Sequence, residues 1–519
     1  MSENQKKSEN RTRPTTDEFR AFVASGWAPR RSELPERAAV VPYAAERRAA
    51  VSARFPGERV IVPAGGLKVR SNDTDYVFRP HSAFAHLTGL GSDREPDAVL
   101  VLEPTDDGHE AVLYFRPLAD RDTDEFFGDS RYGEFWVGAR PTITDVEAEL
   151  GISARHIDEF EHAIAKDAGE VAVRVVREAD RDVAALVDRV RAAAAHEQHS
   201  GAGEATTSAE TQAEERAAAQ QEADDELSAF LSLLRMIKDE WEIAEMRSAI
   251  EGTHRGFDAV IADLPEAVRR GRGERWVEGV FGLHARHHGN GVGYDSICAS
   301  GDHANTLHWI KNTGDLNEGD LLLLDAGVEV DSLFTADITR TLPVSGTFTE
   351  AQRKIYDAVF AAQEAGIAAC KPGNTFSDIH AAAIRVIAEH LHEWGLLPEG
   401  IDVEATLDKE HGQYHRRWMV HGTSHHLGID VHDCALATRE QYTDAELKPG
   451  MILTVEPGLY FKADDELAPA EFRGNGVRIE DDILITEDGC ENLSAAMPRT
   501  ADDVEAWIAG IWGSTDEKR

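Results

Sequence analysis

Residues 321–342 read LLLLDAGVEVDSLFTADITRTL. Four consecutive leucines predict a strand buried on both faces, and Asp325 stands at the end of that run. Asp337, in FTADITRT, follows twelve residues later beyond a predicted hairpin. A carboxylate buried at the end of an apolar strand is costly unless something pairs with it. DAG alone is a common turn start, so either aspartate taken singly reads as well as a turn or capping residue. The two together suggest a shared cation.

The same texture recurs downstream: His425 in HGTSHHLG, Glu456 in LTVEPGLY and Glu480 in VRIEDDI, each beside an apolar run. Four carboxylates and one imidazole, without a thiolate, form a mostly hard ligand set. Such a set suits two divalent cations held close together, manganese better than zinc. A site of this kind clamps a water and makes it a nucleophile at neutral pH, so the chain reads as a hydrolase. In VRIEDDILI, alternation sends Arg478, Glu480 and Asp482 to one face of the strand, a charge density that needs either a common partner or a solvated edge. Six histidines, from His411 to His432, fall within 22 residues. One ligand and two or three substrate-facing imidazoles account for His421, His425 and His432, with His426 as packing. His284, His287 and His288 lie on a helix-like stretch and read as surface.

At 519 residues the chain calls for two domains. A net charge of −41 argues against nucleic acid and anionic membranes, which are bound through basic patches. Cys298, Cys370, Cys434 and Cys490 stand alone, which disfavours a disulfide framework or a cysteine zinc site. The opening MSENQKKSENRTRPTT shows no apolar signal core and no run approaches a membrane span, so a cytoplasmic location is expected.

Residues 1–16 are polar and predicted disordered. Residues 17–196 carry short strand patterns at Val60–Ala64, Ala98–Glu103 and Ala111–Phe115 among helical stretches, an α/β domain. Residues 197–225 lack large apolar side chains and read as an exposed, partly helical acidic insertion. Asp239 is then a predicted N-cap, with Ile243, Met246, Ile250 and Phe257 on one helix face opening a domain over 226–512. Strands are predicted at Leu321–Val330, Phe334–Leu342, Met451–Tyr460 and Val477–Ile485, and helices at Glu350–Ala369 and Thr375–Trp394. The fold class is α+β, with helices outside a curved antiparallel sheet that cradles the site.

Taken in order, DAG, TADITRTLPV, HGTSHHLGIDVHD, TVEPGLY and GVRIEDDILIT resemble aminopeptidase P, the Xaa-Pro aminopeptidases of the pita-bread metallopeptidases, over residues 230–495. FRPHSAFAHLTGL is similar, more loosely, to a motif of the family's creatinase-like N-terminal domain. The resemblance implies that Asp325 chelates one metal, Asp337 and Glu480 bridge the pair, and His425 and Glu456 complete the second. It implies Glu456 as proton shuttle, His308 (in NTLHW) beside the scissile bond and His432 as oxyanion stabiliser. His421 and Arg478 would line the proline pocket and fix the chain beyond it. Proline-containing peptides are the implied substrates, and a homo-oligomer, dimer or tetramer, the implied assembly. Xaa-Pro dipeptidase shares all five ligands and remains an alternative; a non-catalytic pita-bread binding protein is a remote one. Two departures stand out. The aspartates are twelve apart where many members have eleven, and Ala83 stands where members often have an aspartate that reaches a neighbouring subunit's active site. Trp136, in EFWVG, resembles another residue offered across that interface.

Overall fold

The computed structural model describes residues 16–31, 33–199 and 207–516. Residues 1–15, read as disordered, lie outside the described residues. The chain divides into two compact units between Asp225 and Glu226.

The first unit is built on a five-stranded sheet. Its strands are β1 (Arg59–Pro63), β2 (Val99–Thr105), β3 (Gly108–Phe115), β4 (Ser153–His156) and β5 (Val173–Val175), in the order β4-β3-β2-β1-β5. The inner pairs are antiparallel and the two outer ones parallel. Ile61, Val99, Val101, Val112 and Tyr114 pack against Phe160, Ile164 and Val187. Val60, Val62, Leu100 and Leu113 on the opposite face are also buried, so both faces are covered.

The expected exposed insertion over 197–225 is corrected in part. Residues 200–206 lie outside the described residues, but helix Thr207–Leu234 carries the rest, and Asp224 near its middle is buried. The Asp224 carboxylate accepts from Arg191 at 2.8 and 2.9 Å, Arg177 at 2.9 Å and the Val175 amide at 2.9 Å. The described residues before Asp224 are mostly exposed, as expected; the anchor is this one carboxylate, which a search for large apolar side chains cannot detect.

The second unit opens with helix Glu240–Arg270. Its N-terminus is closed by a reciprocal capping box between Asp239 and Glu242. Met246, Ile250 and Phe257 are buried as the helical spacing predicts. Strands β6 (Ile297–Ser300), β7 (Leu321–Ala326) and β8 (Ile338–Pro343) form one antiparallel sheet in the order β8-β7-β6. A second sheet contains β9 (Ile452–Val455), β12 (Asp481–Ile485) and β13 (Cys490–Asn492), and β10 (Gly458–Phe461) pairs with β11 (Asn475–Arg478). Helices Glu350–Ala369 and Phe376–Glu393 bury Ile355, Val359, Ile384 and Ile387 in the core that includes Leu321, Leu323, Leu459 and Val477.

Each long strand read from the sequence is interrupted close to a predicted ligand. Strand β7 stops at Ala326, and the next residue, Gly327, passes so close to Ala336 that a Cβ would lie 1.6 Å from its carbonyl oxygen. The strand expected over Phe334–Leu342 begins only at Ile338, leaving Asp337 in the approach to it. Met451–Tyr460 breaks at Glu456 and Pro457, and Val477–Ile485 at Ile479 and Glu480. Proline lacks a ladder donor, which accounts for the first of these two breaks.

Candidate active site

The breaks turn side chains from separate strands toward one cavity of about 450 Å³. Asp325, Asp337, His425, Glu456 and Glu480 all line it, with His308, His421, His432 and Arg478. Ligand atoms of Asp337, His425 and Glu480 come within 4.8 Å of one another. His425 Nε2 lies 3.2 Å from Asp337 Oδ2 and 3.8 Å from Glu456 Oε1. Asp325 stands outside this tight group: its Oδ2 accepts from Arg478 Nη2 at 2.5 Å.

The backbone fixes these positions. Asp325 pairs with Thr339 across β7 and β8. The segment bearing His425 zips onto the end of β9, where Thr454 N donates to His425 O at 2.9 Å and Glu456 N to Thr423 O at 2.8 Å. Glu480 N donates to Thr339 O at 3.1 Å, while Thr339 Oγ1 donates to Glu480 Oε2 at 2.7 Å.

The family models for Metallopeptidase family M24 and for Aminopeptidase P, N-terminal domain match residues 244–487 and 44–175. Xaa-Pro aminopeptidase 1 of Streptomyces coelicolor is 49% identical over 96% of this chain and 93% of its own length. The chain belongs to the Xaa-Pro aminopeptidase family. Among solved structures, proline aminopeptidase P II from Yersinia pestis superposes with a TM-score of 0.75 at 31% identity, covering 90% of this chain and 98% of that one. Aminopeptidase P from E. coli with the inhibitor Pro-Leu gives 0.75 at 29%, covering 92% and 99%. These likenesses also carry the fold class: a pita-bread domain preceded by the family's N-terminal domain.

Electrostatics explain what a centre of this family must hold. Five carboxylates, including Asp295, line the cavity against one guanidinium. Burial raises the Asp325 carboxyl despite Arg478 beside it. Burial and then the Asp337 charge push Glu480 and Asp482 well above the usual carboxylate range. Burial lifts Glu456 to about 7. For His425 burial acts downward, yet the bond to Asp337 and the neighbouring carboxylate charges take it up to about 9. Buried carboxyls crowded together so that they resist ionisation without a counter-charge mark a donor set suited to cations. A divalent metal fits these residues, all oxygen donors and one imidazole.

Arg478 lines the cavity with most of its donors already engaged. It is buried, and its Nε, Nη1 and Nη2 donate to Thr339 Oγ1 (3.3 Å), Tyr460 Oη (3.0 Å) and Asp325 (2.5 Å). Two of a guanidinium's five N–H groups remain for anything else. His421 is likewise engaged on both sides. Nδ1 lies 2.6 Å from Gly422 O, which can only accept, so Nε2 accepts from Tyr460 Oη at 2.7 Å. Burial and then Arg478 hold His421 down at about 3, and burial with His425 lowers His432. His426 is packing, stacked on Phe376 and edge-on to Tyr442.

Tyr294, Thr339 and Tyr460 escaped the sequence reading. Tyr294 Oη sits 2.7 Å from Asp325 Oδ1 and 2.5 Å from Asp337 Oδ1, one hydroxyl between two carboxylates. Nothing in GVGYDS announces that. Thr339 was detectable, since period-2 alternation puts it on the Asp337 face. Asp482 donates nothing to the cavity but accepts from the Asp337 amide at 3.3 Å.

Proposed function

We propose that Asp325, Asp337, His425, Glu456 and Glu480 hold two divalent cations, manganese by ligand character, where the enzyme cleaves the bond between an N-terminal residue and proline. The observation that carries this reading is the approach of Asp337, His425 and Glu480 ligand atoms to within 4.8 Å, with Asp325 and Glu456 on the same wall. When bound, the cations supply Lewis acidity and a water deprotonated near neutral pH. Tyr294 and Arg478 orient Asp325, and Thr339 orients Glu480.

Glu456 takes the proton of the attacking water and delivers it to the proline nitrogen. That nitrogen belongs to a tertiary amide and must gain a proton to leave as a secondary amine. His432, neutral because burial lowers it, donates an N–H to the carbonyl oxygen as negative charge grows there. His308 stands at the cavity wall as a second contact near the scissile bond. His421, with both nitrogens occupied, offers the cavity ring surface instead of a hydrogen bond. Together with Leu307 and Ile310 that surface suits a pyrrolidine ring.

Stripping the metal, restoring Mn²⁺ and comparing an Xaa-Pro-Yaa tripeptide with an Xaa-Pro dipeptide tests the reading. Release of the N-terminal amino acid chiefly from the tripeptide, and only with metal, is expected. Turnover without metal, or dipeptide cleavage alone, overturns it. A homo-oligomer belongs to the same reading, supported by the exposed Phe135, Trp136 and Val137 of the first unit. A cytoplasmic location is supported by four unpaired cysteines. Among the described residues no helix is long and apolar enough to cross a membrane.

A further inference from the structure

The segment that brings Leu307, His308 and Ile310 to the cavity has no regular structure beyond one 3-10 turn, Gly301–Asn305. A segment of that kind holds a side chain in place only if something else fixes it. Glu274, in the first turn of helix Gly273–His288, lies directly behind it and is fully buried. Its carboxylate collects four donors. Oε1 accepts from Ser300 N at 2.9 Å and lies 2.7 Å from His303 Nδ1. Oε2 accepts from Trp309 Nε1 at 2.9 Å and Gly314 N at 2.5 Å.

Two of those anchors precede His308 in the chain and two follow it. The His303 and Trp309 rings stack at 3.9 Å, closing the short span between them. Gly314 is needed for the approach, because a Cβ there would meet the Glu274 carboxyl and His303 Nδ1 at 2.8 Å. An isolated structural carboxylate would be satisfied by its own helix or by solvent. This one is spent wholly on both ends of a single substrate-facing span.

We infer that Glu274 is a positioning residue for catalysis, fixing His308 against the scissile bond through the Ser300–Gly314 segment. The inference rests on the proposed role of His308. Glu274→Gln keeps the shape but replaces one acceptor oxygen by a donor NH₂, leaving two of the four N–H groups facing another donor. Because a misplacement of about 1 Å can cost on the order of 10²-fold in rate, kcat/KM for Xaa-Pro-Yaa is expected to fall by about 10- to 100-fold.

The test is a double-mutant cycle with His308→Ala, read alongside Mn²⁺ affinity by calorimetry and the thermal midpoint. With Glu274 acting through His308, E274Q has little further effect in the H308A background, and Mn²⁺ affinity stays at the parent value. Equal losses in both backgrounds, wild-type activity of E274Q, or a matching loss of Mn²⁺ affinity each overturn the inference. Wild-type activity of H308A overturns it by a different route, by removing the role of His308 itself. If E274Q does not fold, Trp309→Phe, which deletes one of the four donors and keeps the ring, is judged by the same cycle.

Discussion

Asp337 is engaged on every side: Tyr294 bonds one carboxylate oxygen, His425 approaches the other, and its backbone amide reaches Asp482. Asp337→Asn or Glu456→Gln is therefore expected to abolish turnover while far-ultraviolet circular dichroism stays at the parent spectrum. For Asp337→Asn, Mn²⁺ affinity should also fall by more than the ~10- to 100-fold typical of losing an outer partner. Near-normal turnover in either would remove that residue from the chemistry. The metal-free protein should show the electrostatic cost of the centre as pH rises. Glu456 and His425 both titrate higher in the folded chain, at about 7 and about 9, than when unfolded. A raised folded value means that the folded state holds the proton more tightly, so stability present at low pH is lost as pH climbs. His421, held down at about 3, is neutral in both states above its ordinary value of about 6.5 and leaves the window from there to pH 9 undisturbed. Urea unfolding of chelated protein should show stability declining across that window, and His425→Ala should flatten the decline; an unchanged slope in the variant would rule out His425 as its source. These five candidate ligands were legible because ionisable side chains recur beside apolar runs, a pattern that carries weight jointly and not at any single position. Tyr294 was not, since a tyrosine in a glycine-rich loop belongs to no such pattern.

Among the elements, helices were read most closely, because their start signals are local. Thr349 and Thr375 both head capping boxes, and the helices they open span Glu350–Ala369 and Phe376–Glu393, within a residue or so of expectation. The four strands read in the second unit were placed correctly but drawn too long. Nothing in the side-chain alternation of VRIEDDILI marks the backbone break between Arg478 and Asp481, which depends on a partner strand 140 residues away. That same break hides a second charge system on the reverse face, around Asp481. Asp481 accepts from Arg340 Nη2 at 2.8 Å, Gln363 Nε2 at 2.8 Å and Ser494 Oγ at 2.6 Å. Arg340, fully buried, also donates from Nη1 to the carbonyls of Thr339 (2.9 Å) and Glu480 (2.7 Å), tying β8 to the strand break that presents a ligand. Removing Arg340 leaves the buried Asp481 with only the longer 3.5 Å contact to Arg499 as a counter-charge, so Arg340→Met should destabilise the protein by about 3–5 kcal/mol. Chemical denaturation measures this directly, and a loss under ~1 kcal/mol would mean that the pair contributes no more than an exposed one.

On the scale of the whole molecule, a charge of −41 keeps copies of this chain apart, and any self-association must overcome that repulsion through a local apolar patch. The first unit has one. Phe135, Trp136 and Val137 are 59%, 51% and 53% exposed, and with Phe19, Val23 and Phe127 the two aromatics line a hollow of about 420 Å³. A four-residue helix, Glu134–Val137, presents them, and the Trp136 indole is braced by a 2.8 Å bond to Phe127 O. Rings held outward in this way are exposed by construction, which solvation alone disfavours. The sequence singled out Trp136 only by resemblance, because three apolar residues in a row cannot be told from a short buried strand without the fold around them. Ala83 is buried in helix Ser82–Thr88 and offers nothing to a neighbour, so the patch would have to carry the association. Truncating a well-packed interface aromatic typically costs about 2 kcal/mol or more, about a 30-fold weaker dissociation constant. Sedimentation at micromolar concentration should therefore find the parent associated, Trp136→Ala shifted toward the 57.0 kDa monomer, and the shift reduced by added salt that screens the charge. A parent that sediments as a monomer throughout, or a Trp136→Ala variant as associated as the parent, would remove this surface as the contact.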